Sequence, residues 1–363
     1  MKLQKTPSYL GLTASSFINY HNLVQTVKTH HLILSVLLVA YLVSGLTSCD
    51  VNESNRPISK EIDSIPKPKI KVPKFDKDKA YNFIQTQVDF GPRVPGSVAH
   101  DRCMQWLQAQ LKSFGAETTI QNGVTERHDG RRLQIKNIIA TFNPQASKRV
   151  LLCAHWDTRY VADQDEDKNR RKEPILGADD GGSGVGVLLE VARQLGLNKP
   201  NNLGVDIIFF DVEDQGIPGR TTMTNSDKTW CLGSQYWARK KHKAGYTAEY
   251  GILLDMVGSR GARFPKEGFS VQHAGTHVNR VWKKAKAKGF AKWFVEEQGG
   301  EITDDHVFVT LIGGIPTLDI INLPGNGRTF GRYWHTHKDN MEVIDKNTLK
   351  AVGQTVLAVL YEE

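Results

Sequence analysis

Residues 205–214 read VDIIFFDVED, a run of branched and aromatic residues that stops on Asp211, Glu213 and Asp214. A continuous apolar run of this length suits a strand covered on both faces. The same pattern recurs along the chain. VLLCA at 150–154 is followed by His155-Trp156-Asp157, and YGILLD at 250–255 ends on Asp255. IPTLDII at 315–321 leads through a glycine-containing loop to Trp334-His335. NIIATF at 137–142 is a further strand run, and an antiparallel meander is expected over 117–142. Between these runs, stretches 98–114, 184–196, 232–243, 278–288 and 346–361 place apolar residues at three- and four-residue spacing. This alternation predicts an α/β fold, a three-layer sandwich with a central, largely parallel mixed sheet.

In such sheets, ligands bind beyond the carboxyl ends of the strands. The metal-competent side chains of this sequence collect there. His155, Glu213, Asp214, Asp255 and His335 end or follow strand runs, and Asp180 precedes a helix in GADDGGSG (177–184), with Ser183 as the expected cap. Imidazole with carboxylates suits zinc, which takes such ligands at about 2.0–2.2 Å. No cysteine has CxxC spacing, which argues against a thiolate site. Three protein ligands with an open fourth position make a catalytic centre, and the neighbouring Glu213 is the acid–base partner it needs.

The rest of the composition narrows the setting. The chain has 363 residues, 39% hydrophobic and 24% charged, enough for one sizeable globular core. Its net charge is +8, but residues 1–75 hold nine Lys or Arg against four Asp or Glu, so most of the excess sits in the leader. No nucleic-acid partner is expected from a domain so nearly balanced. After Lys28, residues 32–45 (LILSVLLVAYLVSG) are apolar, and LTS at 46–48 precedes Cys49. That run is short for a membrane span and right for a signal sequence. It resembles a bacterial lipobox, which implies a signal peptide at 1–48, cleavage before Cys49 and acylation of its thiol. The protein is then exported, held on a bacterial membrane by an N-terminal lipid anchor, and periplasmic. Residues 49–75, with PKPKIKVPK, read as an extended tether, and 76–363 as a single catalytic domain. Cys103, Cys153 and Cys231 then remain, which allows one bridge at most.

Seven segments in order resemble one family: FGPRVPGS (90–97), HWD (155–157), GADDGGS (177–183), FFDVED (209–214), LLDM (253–256), DDH (304–306) and WHT (334–336). They are similar to the zinc aminopeptidase-like α/β proteins, and within those to the glutaminyl cyclases. The resemblance implies one zinc ion per chain on Asp180, Asp214 and His335, with Glu213 as proton shuttle. It implies Asp255 and Asp304 as a hydrogen-bonded acidic pair beside the substrate amine, and Trp334 as an apolar wall for the glutamine stem. The expected reaction turns N-terminal glutamine of peptides or proteins into pyroglutamate and releases ammonia. Animal cyclases have Glu where this chain has Asp214.

Two-zinc aminopeptidases of the same fold also have ligands at the positions of His155, Asp180, Asp214, Asp255 and His335. That is the competing expectation, and Asp304 argues against it, because a carboxyl sharing a proton with Asp255 makes Asp255 a poor second ligand. His155 is expected as a supporting histidine. Asp157, Asp179, Asp305 and His306 read as supporting groups, and His337 and Asp339 as solvated loop residues. The charged stretch 163–172 reads as a surface loop at the cleft rim, and Trp156, Trp230, Trp237 and Trp293 as packing.

Overall fold

The computed structural model describes residues 71–200, 202–219, 229–325 and 329–362. Cys49, the expected signal peptide and most of the tether lie outside the described residues. Six strands form the main sheet: β1 (Glu117–Glu126), β2 (Arg132–Phe142), β3 (Lys148–His155), β4 (Leu203–Phe210), β5 (Tyr250–Asp255) and β8 (Thr317–Ile321). Their spatial order is β1-β2-β4-β3-β5-β8. The β1/β2 and β2/β4 pairs are antiparallel, while β4, β3, β5 and β8 run parallel. From β3 the chain steps outward to β4 and then back across to β5, so the order reverses beside β3. That reversal opens a crevice at the strands' carboxyl ends. A separate parallel pair joins β6 (Phe264–Lys266) to β7 (Phe294–Gln298).

The period-two alternation of strand side chains divides the interior into two cores. Ile138, Ala140, Val150, Leu152, Val205, Ile207, Ile252 and Leu254 face one layer of helices. Ile139, Leu151, Cys153, Ile208, Phe210 and Leu253 face the other. On the first face lie α1 (Lys77–Asp89), α2 (Val98–Ser113), α3 (Gly182–Leu197), α5 (Gly268–Ala287) and α7 (Lys346–Tyr361); α4 (Leu232–Arg239) and α6 (Asp305–Leu311) cover the second. Helix α2 begins where Ser97 accepts from the His100 N–H at 3.1 Å, and it buries Cys103, Leu107 and Leu111 along one stripe. Helix α3 lies close to β5 because Gly184 sits against the Leu254 carbonyl, where a β-carbon would collide.

Several boundaries differ from expectation. Helix α5 starts ten residues before the expected 278, because Glu267 caps it, accepting from the Phe269 and Ser270 N–H groups at 2.9 and 2.7 Å. Helix α4 stops at Arg239 instead of 243, as Lys240 leaves helical geometry. Helices α1 and α6 had no strong apolar period and were not expected; α1 buries only Ala80, Ile84 and Gln87. Ser183 is not a cap. Gly181 holds that position, and the Ser183 hydroxyl instead donates to the Asp179 carbonyl and accepts from the Val257 N–H. Cys103, Cys153 and Cys231 are all free and buried.

Candidate metal centre and active-site cleft

His155 and Asp255 are the last residues of β3 and β5, Glu213 and Asp214 follow β4, and Asp180 lies in the turn before α3. Asp304 precedes α6, and His335 lies on the loop after β8. The three crossovers between the parallel strands and the loop after β8 therefore meet at one sheet edge. Asp180, Glu213, Asp214, Asp255, Asp304, Trp334 and His335 line a single cleft.

Three buried groups converge as the expected ligand set. His335 Nε2 lies 3.1 Å from Asp214 Oδ1 and 3.7 Å from Asp180 Oδ2. The Oδ2 atoms of both Asp180 and Asp214 are buried without any hydrogen-bond partner. Unpaired buried carboxylate oxygens are costly, and here one lies on each of two carboxylates that adjoin a single imidazole nitrogen, a donor set suited to zinc. Burial, and then the charge of Asp214, push the Asp180 carboxyl up to about 6. A divalent cation would reverse that shift, and the residues present fit one.

A second group shares Asp180. His155 Nε2 lies 3.0 Å from Asp180 Oδ1 and 3.3 Å from Asp255 Oδ1. The hydrogen bonds of Asp255 and Asp304 do not pair them as expected. Asp255 turns to His155, and Asp304 Oδ1 accepts from the Asp305 N–H at 2.5 Å. Asp319 on β8 lies beside Asp304, in one buried group with His306. Burial first, then the charge of Asp255, push the Asp304 carboxyl well above the ordinary range. Burial likewise raises Glu213, against the opposing pull of His155.

The backbone holds these groups in strained positions. Val212, Met256 and His335 are non-glycine residues with φ of 56°, 47° and 55°. Such positions cost about 1–3 kcal/mol each and gather at functional sites. Asp157 stabilises the first of them, with Oδ1 accepting from the Glu213 N–H at 3.0 Å and Oδ2 from the Asp214 N–H at 3.3 Å. Gly181, at φ 80°, packs where a β-carbon would strike the His155 ring.

Other residues act here against their sequence reading. Asp339 is no solvated loop residue; it is buried, and its carboxylate accepts from the N–H groups of Asp179 and Asp180 at 2.8 and 3.1 Å. Asp163, read as rim, places Oδ1 3.3 Å from His335 Nδ1 with its side chain only 8% exposed. Arg159 holds Asp163 with Nε at 2.7 Å and reaches Asp214 Oδ1 with Nη1 at 3.4 Å. The Arg159–Asp163 spacing of four was the one local hint of this pair. Trp334 stacks on the His335 ring at 3.6 Å between centroids, and Trp230 also lines the cleft. Trp156 and Trp237 pack in the interior against His100 and Phe210.

The family model described as peptidase family M28 matches residues 137–360. A solved glutaminyl cyclase from Bacteroides thetaiotaomicron, bound to N-acetylhistamine, is 49% identical, with a TM-score of 0.78 over 81% of this chain and all of that one (100%). A solved Zn-dependent exopeptidase from Parabacteroides distasonis is 50% identical, with a TM-score of 0.77 over 81% of this chain and 100% of that one. Glutaminyl-peptide cyclotransferase of Bothrops jararaca is 26% identical over 301 residues, 74% of this chain and 77% of that protein.

Proposed function

The chain belongs to peptidase family M28 and to its glutaminyl cyclases, and from that premise we propose that it converts N-terminal glutamine of peptides or proteins to pyroglutamate, releasing ammonia. The observation that carries this is the meeting of Glu213, Asp255 and Asp304 in one cleft with the group Asp180, Asp214 and His335. Hydrolysis at a metal needs one acid–base carboxylate. Two further buried acids facing the same space suit a substrate that brings its own amine nucleophile.

Asp180, Asp214 and His335 would hold one zinc ion per chain, which when bound supplies Lewis-acid polarisation of the glutamine side-chain carbonyl. Asp255 and Asp304 accept hydrogen bonds from the α-amine and aim its lone pair at the carboxamide carbon. Glu213 takes a proton from that nitrogen as the five-membered ring closes, and returns it to the departing ammonia. Burial of Glu213 supports this role, since a carboxylate in an apolar setting is a stronger base. The Trp334 ring forms the wall along the glutamine methylenes. Water takes no part, so the reaction is acyl transfer within one residue, the work of an aminoacyltransferase.

A two-metal aminopeptidase is the competing reading, and the group His155, Asp180 and Asp255 favours it. One experiment separates the two. The purified protein is offered peptides beginning with Gln and with Leu, and its metal content is measured. Ammonia from the first, no cleavage of the second and one zinc per chain support the cyclase. Cleavage of the second with two zinc ions bound overturns it. Export and lipid attachment through Cys49 complete the proposal, supported by the apolar run and lipobox-like residues before that cysteine.

A further inference from the structure

Cys231 takes no part in the reaction just described, yet its thiol lies 3.2 Å from Glu213 Oε1. Among the described residues it is the one side chain within hydrogen-bond distance of that carboxylate; His155 Nδ1 stands 3.8 Å from the other oxygen. The thiol is fully buried, while the Glu213 side chain is 11% exposed and lines the cleft. The backbone fixes the pair as well. The Cys231 N–H donates to the Glu213 carbonyl at 2.9 Å, and the Leu232 N–H donates to that of Val212 at 3.0 Å. Cys231 sits just ahead of α4 at φ 58°, in the left-handed region, as Val212 does at 56°. Two non-glycine residues in that conformation turn the thiol and the carboxylate towards each other.

We propose that Cys231 is a positioning residue for Glu213: its thiol holds Oε1 and leaves Oε2 as the oxygen that exchanges protons with the substrate. The inference rests on the role given to Glu213 above. A thiol suits the task because it is a weak donor. It can set the rotation of the carboxylate while leaving it basic, whereas a charged donor would hold the proton-accepting oxygens too tightly. The neighbouring carboxylate Asp304 lies within the same small group, so a carboxylate free to rotate could swing towards it or away from the substrate.

The test compares Cys231→Ala, Cys231→Ser and Cys231→Val in the full chain with zinc content and melting temperature recorded for each. Removing one orienting hydrogen bond is expected to lower kcat about ten-fold in the alanine and valine variants. KM should stay within about two-fold and zinc content should not change, since the substrate wall and ligands are untouched. Serine restores a donor and should keep kcat within about three-fold of the parent. Equal kcat in serine and alanine variants, whether both normal or both low, overturns the proposal. Should alanine fail to fold, the serine–valine pair carries the same comparison. Failure of the cyclase reading is seen separately, in the parent protein's lack of ammonia release. The variants are then compared on whatever peptide the parent does turn over, because Glu213 moves the proton in either reaction.

Discussion

His335 has two neighbours that keep its ring in place: Trp334, stacked at 3.6 Å, and Asp163, whose carboxylate faces Nδ1 at 3.3 Å. A carboxylate on the far nitrogen of a ligating histidine orients the ring and raises its basicity. Burial opposes a charged Asp163, yet His335 and Arg159 hold its carboxyl well below the usual range. Because Arg159 also reaches Asp214, one guanidinium braces two of the three proposed ligands. Asp163→Ala is therefore expected to weaken zinc binding about 10–100-fold. Competition against a fluorescent chelator measures this, and an unchanged affinity would show that Trp334 and the loop suffice. Glu213→Gln separates chemistry from metal binding. It should keep its zinc while turnover drops by about 10²–10⁴; near-normal turnover would take the proton-shuttle role from Glu213.

At the scale of elements, Glu267 shows how a helix start can organise a remote loop. Its carboxylate caps α5, accepts from the Ser270 hydroxyl at 2.6 Å, from the Ile302 N–H at 3.1 Å, and meets His306 Nε2 at 3.1 Å. Ile302 and His306 flank Asp304, so this one carboxylate links the start of α5 to the segment that enters the cleft. Burial works against its charge, but the His306 imidazole and these hydrogen bonds hold its pKa below the ordinary value. A depressed folded pKa means the stabilisation is present above the unfolded value of about 4.3 and is lost as pH falls through the folded value. Glu267→Gln should lower the melting temperature at pH 7 and flatten its decline below pH ~4.3. Parallel melting curves for both proteins in acid would show that the capping carboxylate carries none of the pH dependence. The tight approach of α3 to β5 at Gly184 is a packing constraint of the same scale, with no titratable part.

At the scale of the whole molecule, no helix among the described residues is long and apolar enough to cross a membrane. Attachment, as proposed, is through Cys49. Cys49→Ser should abolish incorporation of radiolabelled fatty acid and move the protein from the detergent phase to the aqueous phase in Triton X-114 partition. Loss of the label with retained detergent partition would mean that the apolar run is itself the anchor. The domain's plan was legible in sequence because its signals are local. Strand runs buried on both faces are continuous stretches of apolar residues, and the acids that end them mark the sheet edge where ligands bind. Asp180, Glu213, Asp214, Asp255 and Asp304 all stand within or beside such runs or a recognisable segment. What tertiary structure alone decided is which loop residues support them. Asp339 joins the Asp180 backbone across 159 positions, and Asp163, Arg159 and Cys231 come from stretches whose composition reads as solvated or as packing. A charged loop residue looks the same in sequence whether water or a buried partner satisfies it. Only the folded chain, by excluding water from the cleft and bringing a distant imidazole or carboxylate within 3.3 Å, gives those groups their partners.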